Sequence, residues 1–142
     1  MSWERAMLLL VGVADGLGIG MKVLSNQEEQ SVRERTRRRF SDGTGNSVTN
    51  ENLAHCARLS RNESWKLIGA FGFSGSVILF TNLRDGRSMF KFSSIRDTVA
   101  VLSEAPPFDF YLVDQDCTFL FAHDEYDNLF GCGSAKAFVE SL

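Results

Sequence analysis

A chain of 142 residues has the usual size of one domain, and a composition of 44% apolar and 23% charged residues excludes a disordered or fibrous protein. Its three cysteines, Cys56, Cys117 and Cys132, have no paired spacing, which excludes a disulfide-dense scaffold and predicts buried free thiols in a reducing compartment. Cys117 and Cys132 would pair only if the fold joined them. The formal net charge of −3 conceals an asymmetry: ten basic residues face eight acids up to Gly72, whereas from Glu104 onward eight acids are opposed by Lys136 alone, a net of −7. An acidic C-terminal third repels nucleic acid and suits a basic partner.

In chain order, Trp3, Met7, Leu10, Val11 and Ala14 recur at helical spacing and predict a buried helix that Asp15-Gly16 stops. Its apolar run, residues 7–14, is far shorter than the about 20 residues that span a bilayer. Glu4 offsets Arg5, which argues against a signal peptide. The expectation is a soluble, cytoplasmic protein with no membrane partner. Residues 27–40 predict a second helix with Val32, Thr36 and Phe40 inward. Residues 50–59 predict a third, capped by Thr49 or Asn50, with Leu53, Cys56 and Ala57 inward.

After Trp65 the pattern becomes β-branched and aromatic. Residues 76–81 and 88–92 predict two strands around an Asp85-Gly86 turn. Residues 94–103 predict a helix capped by Ser94, with Asp97 three residues on, and Pro106-Pro107 forbids its continuation. Residues 108–113 and 117–123 predict a second hairpin, with Phe108, Phe110 and Leu112 on one strand face and Asp109, Tyr111 and Val113 on the other. Residues 129–132 predict a short edge strand, and residues 134–142 a closing helix with Ala137, Phe138 and Leu142 inward. The expected fold class is α+β, a single domain over 1–142. A helical part (1–60) precedes a sheet-forming part (65–142) of four to five antiparallel strands, β-β-α-β-β-(β)-α, with helices on one face.

Few motifs point to chemistry. The glycines at 16, 18 and 20 lack the spacing of a dinucleotide loop, and no alternating β-α units follow. The arginines at 33, 35 and 37–39 point all round a helix, among Glu28, Glu29 and Glu34, with no aromatic residues for stacking, which is the pattern of a solvated face. Neither His55 nor His123 has metal-ligand spacing, and no cofactor is expected. The acids Asp114, Asp116, Asp124, Glu125 and Asp127, with Tyr126, form the candidate partner-binding set.

The run Phe108-Asp-Phe-Tyr-Leu-Val-Asp114, followed by residues 119–133, resembles small bacterial immunity-type proteins, in which such a strand leads to an apolar strand, a polar turn and a glycine-containing strand. The likeness covers about residues 65–142 and includes Trp65 and the helix at 94–103. The resemblance implies a non-enzymatic protein that neutralises a cognate toxin, here one with a basic surface, by direct binding. Members often carry an aromatic and histidine pair in the polar turn, where this chain has only His123. The alternatives are a small ligand-binding or enzymatic domain using Cys132 and His123, or Cys56, and a regulatory module of a larger complex. Oligomeric state is not legible.

Overall fold

The computed structural model describes residues 3–81, 88–105 and 108–142; the expected Asp85-Gly86 turn, the Pro106-Pro107 stop and the side chain of Trp3 lie outside them. The described elements are α1 (Trp3–Leu17), β1 (Met21–Val23), α2 (Asn26–Phe40), β2 (Cys56–Ser60), a 3-10 helix (Ser64–Ala70), β3 (Val77–Phe80), β4 (Phe90–Phe92), α3 (Ile95–Leu102), β5 (Phe110–Asp114), β6 (Phe119–His123), β7 (Asn128–Gly133) and α4 (Lys136–Glu140). The strands form one antiparallel sheet in the order β1-β4-β3-β5-β6-β7-β2.

The class is α+β, but the sheet has seven strands and draws two of them from the first 60 residues. The strands β3, β5 and β6 are buried at every position. Half-buried antiparallel strands alternate polar with apolar residues; these do not, because both faces are covered. Val77, Leu79, Leu112, Phe119 and Phe121 pack with Leu10, Ile68, Val101 and Val139, from α1, the 3-10 helix, α3 and α4. On the other face, Ile78, Phe80, Val113 and Leu120 pack with Val32 and Phe40 of α2 and with Val48. The expectation of helices on one face is therefore corrected.

In α1 the buried residues Ala6, Leu10 and Ala14 fall at i, i+4 and i+8, while Leu8, Leu9 and Val11 are exposed, so Val11 does not point inward. The helix continues past Asp15-Gly16 and ends at Gly18, whose φ of 68° is the left-handed cap that glycine adopts without a Cβ penalty. Ser25 and Glu28 close a reciprocal capping box on α2. Val32, Thr36 and Phe40 face inward as expected, joined by a buried Arg33–Glu29 pair at 3.1 Å. Arg33 also donates to the Thr81 carbonyl at 3.1 Å, so it is no part of a solvated face.

The helix expected at 50–59 is instead a loop followed by β2. The buried Asn52 side chain accepts from Thr49 N and donates to the Thr44 and Ser47 carbonyls, bonds that favour turns over helix. His55 sits at φ 56°, and Ala57 and Leu59 then pack on the core at strand period. The strand β7 is not an edge, since β2 pairs along it from Cys56↔Cys132 to Ser60↔Asn128. The closing helix is short; Val139 is buried and Ala137 exposed, contrary to expectation. It lies so close to β7 that a Cβ on Gly131 would stand 2.6 Å from the Ala135 carbonyl.

The free-thiol expectation is also corrected. Cys56 and Cys132 form a disulfide across β2 and β7, with Cα atoms 4.4 Å apart, and only Cys117 is free. No described helix is long and apolar enough to cross a membrane.

Candidate binding cleft at the β6–β7 turn

Residues 124–127 connect β6 to β7, and Asp124 shapes the connection. Its carboxylate accepts from Tyr126 N (2.9 Å), Asn128 N (3.1 Å) and Asn128 Nδ2 (2.9 Å). Such local bonds from Asp to the following backbone are what make it a turn former. Glu125 N donates to Asp109 Oδ1 at 2.8 Å, tying the turn to the start of the hairpin. The Asp127 carbonyl accepts from Ser64 Oγ at 2.8 Å and from Arg61 N at 3.3 Å, which clamps the turn to the entry of the 3-10 helix.

A cleft of about 290 Å³ opens between these two clamped segments and the end of α3. Trp65, Phe108 and Phe110 supply its apolar wall, and Asn62, Glu63, His123 and Asp127 its polar groups. Two of these residues, Glu63 (φ 53°) and Asp127 (φ 62°), hold left-handed backbone without being glycine. Conformations of that kind cost of order 1–3 kcal/mol each and collect at functional sites. They stand on the two segments that face the cleft, whereas the other such residues described, His55 and Cys117, do not line it.

His123 lies at its base. Phe119, Phe121 and His123 alternate along β6, so the imidazole shares the inward face of the two phenylalanines. It is 2% exposed and stacks on Phe110, with centroids 5.4 Å apart and planes at 28°. Nε2 is 3.4 Å from Asp127 Oδ1, near enough for the carboxylate to act on its charge, yet neither ring nitrogen completes a hydrogen bond among the described residues. Buried polar atoms are almost always satisfied, so two orphan nitrogens on a residue that lines a cleft call for an explanation.

Burial pushes the His123 pKa below its ordinary 6.5, and the carboxylates of Asp127 and Asp124 pull it partly back. The unfolded chain therefore binds this proton at higher pH than the folded one. The stability His123 contributes is present above its unfolded pKa of about 6.5 and is lost as pH falls through the lower folded value. Between about pH 7.5 and pH 5, urea midpoints should fall further for the wild type than for His123→Phe. Equal losses would mean that His123 titrates alike in both states.

The structure divides the acidic set. Asp114 is 2% exposed and turned inward, accepting from Thr118 N (2.7 Å), Thr118 Oγ1 (2.6 Å) and Phe119 N (3.1 Å) to shape the β5–β6 hairpin. It is not a surface residue. Asp116 is exposed on that hairpin turn, at the opposite end of β6 from residues 124–127, roughly 15 Å away by strand rise. Arg35 of α2 donates to the Gln115 carbonyl at 2.7 Å, bringing positive charge to that end. Among the remaining acids, Asp124 holds the turn, Glu125 is exposed beside the 85%-exposed Tyr126, and Asp127 lines the cleft.

Cysteine chemistry finds no geometry here. Cys132 is paired with Leu120, three register steps from His123, and packs in the core on the opposite sheet face. It and Cys56 are bonded to each other, while the buried Cys117 thiol has its pKa pushed up by desolvation. Among the described residues no cluster of three or more His, Cys, Asp or Glu side chains is set to hold a metal. Sequence reasoning missed Asn62 and Glu63 as site residues, because nothing local marks a loop that becomes a wall only through its contacts with residues 127 and 128. No family model, curated protein or solved structure matches this chain.

Proposed function

We propose that the chain is a binding protein whose working surface is the β6–β7 end of the sheet, where the His123 cleft and the Tyr126 turn lie side by side. The observation that carries this reading is His123, buried at the base of an open cleft with neither nitrogen hydrogen-bonded among the described residues. The neighbouring turn supports it. Tyr126 is displayed almost completely on a segment braced by Asp124 and Asp109, and an aromatic held in place is the type of residue that anchors protein interfaces. Glu63, Glu125 and Asp127 give this end acidic groups suited to a basic partner.

The specific form of the proposal is that of the resemblance at 65–142: a non-enzymatic, immunity-type protein that neutralises a basic toxin by direct binding. Co-expression with the product of the adjacent gene tests it. Tyr126→Ala should raise the dissociation rate of the complex by about 30-fold, the equivalent of a 2 kcal/mol hot spot. Glu125→Gln should instead slow association and flatten its salt dependence. No co-elution, together with a neighbour that is harmless on its own, would remove the immunity reading. Unaltered rates in both variants would move the binding surface elsewhere.

The cytoplasmic location expected from the sequence belongs to the same proposal and is in tension with the disulfide, because the cytosol keeps thiols reduced. Trapping the thiols by alkylation in the source cells, followed by mass measurement, decides between the compartments.

A further inference from the structure

Resting on the reading that this end of the sheet is the working end, we infer that the cleft takes an organic cation, an alkylammonium or alkylguanidinium head. The head would sit between Asp127, Glu63 and His123, with its short alkyl stem along Trp65 and Phe108. Three observations converge on this class. The described residues lining the cleft include two carboxylates and no lysine or arginine, which favours a cation over an anion. His123 is 2% exposed, neither ring nitrogen completes a hydrogen bond among the described residues although Nε2 stands 3.4 Å from Asp127 Oδ1, and a neutral imidazole offers an acceptor that an N–H of the cation satisfies. The third observation concerns Lys66, next to two of the lining residues. Lys66 pairs with Glu63 while its ammonium lies 5.6 Å from the centre of the Trp65 ring. The chain thus already presents one ammonium to this acid and this aromatic face, the combination of charge and ring quadrupole that recognises organic cations.

The volume of about 290 Å³ lies at the small end of ligand pockets, which suits a single head group with a short stem. The same chemistry comes from a free small amine or from a lysine or arginine side chain of the partner, and the test separates these sources.

The full-length chain is titrated with butylammonium and butylguanidinium chloride at constant ionic strength, following the His123 ring nitrogens by NMR. Saturable shifts are expected, with binding weakened by about tenfold or more in Asp127→Asn and Glu63→Gln. Asparagine tolerates the left-handed backbone at position 127, so the first variant should keep its fold. Nα-acetyl-arginine methylamide forms the second arm. Tighter binding than butylguanidinium points to a partner side chain, and weaker binding to a free cation.

No saturable shift up to about 10 mM, or equal binding by the wild type and both variants, overturns the inference. Phenol or butanesulfonate binding in place of the cations also overturns it, but leaves the cleft as a binding site. If no probe shifts His123 while Tyr126→Ala still weakens the partner complex, the cation inference fails alone. If the partner complex is insensitive as well, the working-end reading fails with it.

Discussion

Removing the Cys56–Cys132 bond should lower the free energy of unfolding by about 4.5 kcal/mol, the chain-entropy value for a cross-link spanning 76 residues. The bond ties β2, an edge strand contributed by the first half of the chain, to β7 within the C-terminal part. In the unfolded chain the same link shortens the accessible loop, and this entropy is what the native state is spared. The Cys56→Ala, Cys132→Ala double variant should unfold at a urea concentration roughly 2 M lower than the oxidised wild type. Wild type held in reductant should fall near the double variant. Coincident midpoints for oxidised and reduced protein would show that the bond constrains nothing in the unfolded state.

The second large effect is expected at Phe121. Its ring is fully buried on β6 between Leu112 and Gly131 and meets Phe71 at 5.1 Å, Phe119 at 5.6 Å and Phe138 at 5.9 Å. Truncation to alanine forfeits the transfer free energy, leaves a cavity that the sheet cannot close, and removes edge-to-face ring contacts, about 3–5 kcal/mol together. The melting temperature should fall by roughly 10 °C. Tyr126→Ala, at an exposed turn position, should stay within about 0.5 kcal/mol of the wild type. This contrast is what allows the binding variants to be read as binding effects. Comparable losses in the two variants would mean that the turn carries as much stability as the strand.

The sequence made the C-terminal sheet legible because its signals are local. Residues 76–81 carry β-branched and aromatic side chains in a run, and Val77–Phe80 is β3. Ser94 accepts from Asp97 N at 3.1 Å and caps α3 as its spacing predicts. The hairpin follows from two apolar runs on either side of Asp114-Gln115-Asp116, with Phe110 and Leu112 on one face of the first and Tyr111 and Val113 on the other. The strands β1 and β2 were not legible, because each exists through a partner remote in sequence. Met21–Val23 is ordered by β4, and Cys56–Ser60 by β7. In the second of these, Leu53, Cys56 and Ala57 have helical spacing, whereas tertiary pairing imposes the strand.

The site was half legible. Residues 123–128 stand out as a polar insertion between apolar strands; of these, His123 and Asp127 line the cleft, while Glu125 and Tyr126 are exposed beside it. His123 reads as part of that polar turn, yet its place two residues after Phe121 in an alternating strand puts it inside. Asp114 reads as surface charge for the converse reason: a lone acid at a strand end looks solvated until the backbone donors of Thr118 and Phe119 are known to converge on it.

The central claim, that the protein works through the β6–β7 end of its sheet, is tested most directly by a screen of small fragments against the full-length chain, read by NMR shifts. The shifts from fragments that bind saturably should converge on Asn62, Trp65, His123 and Asp127. Convergence instead on the groove of Leu24, Val32 and Lys91 across the sheet, or shifts scattered over both faces, would contradict it.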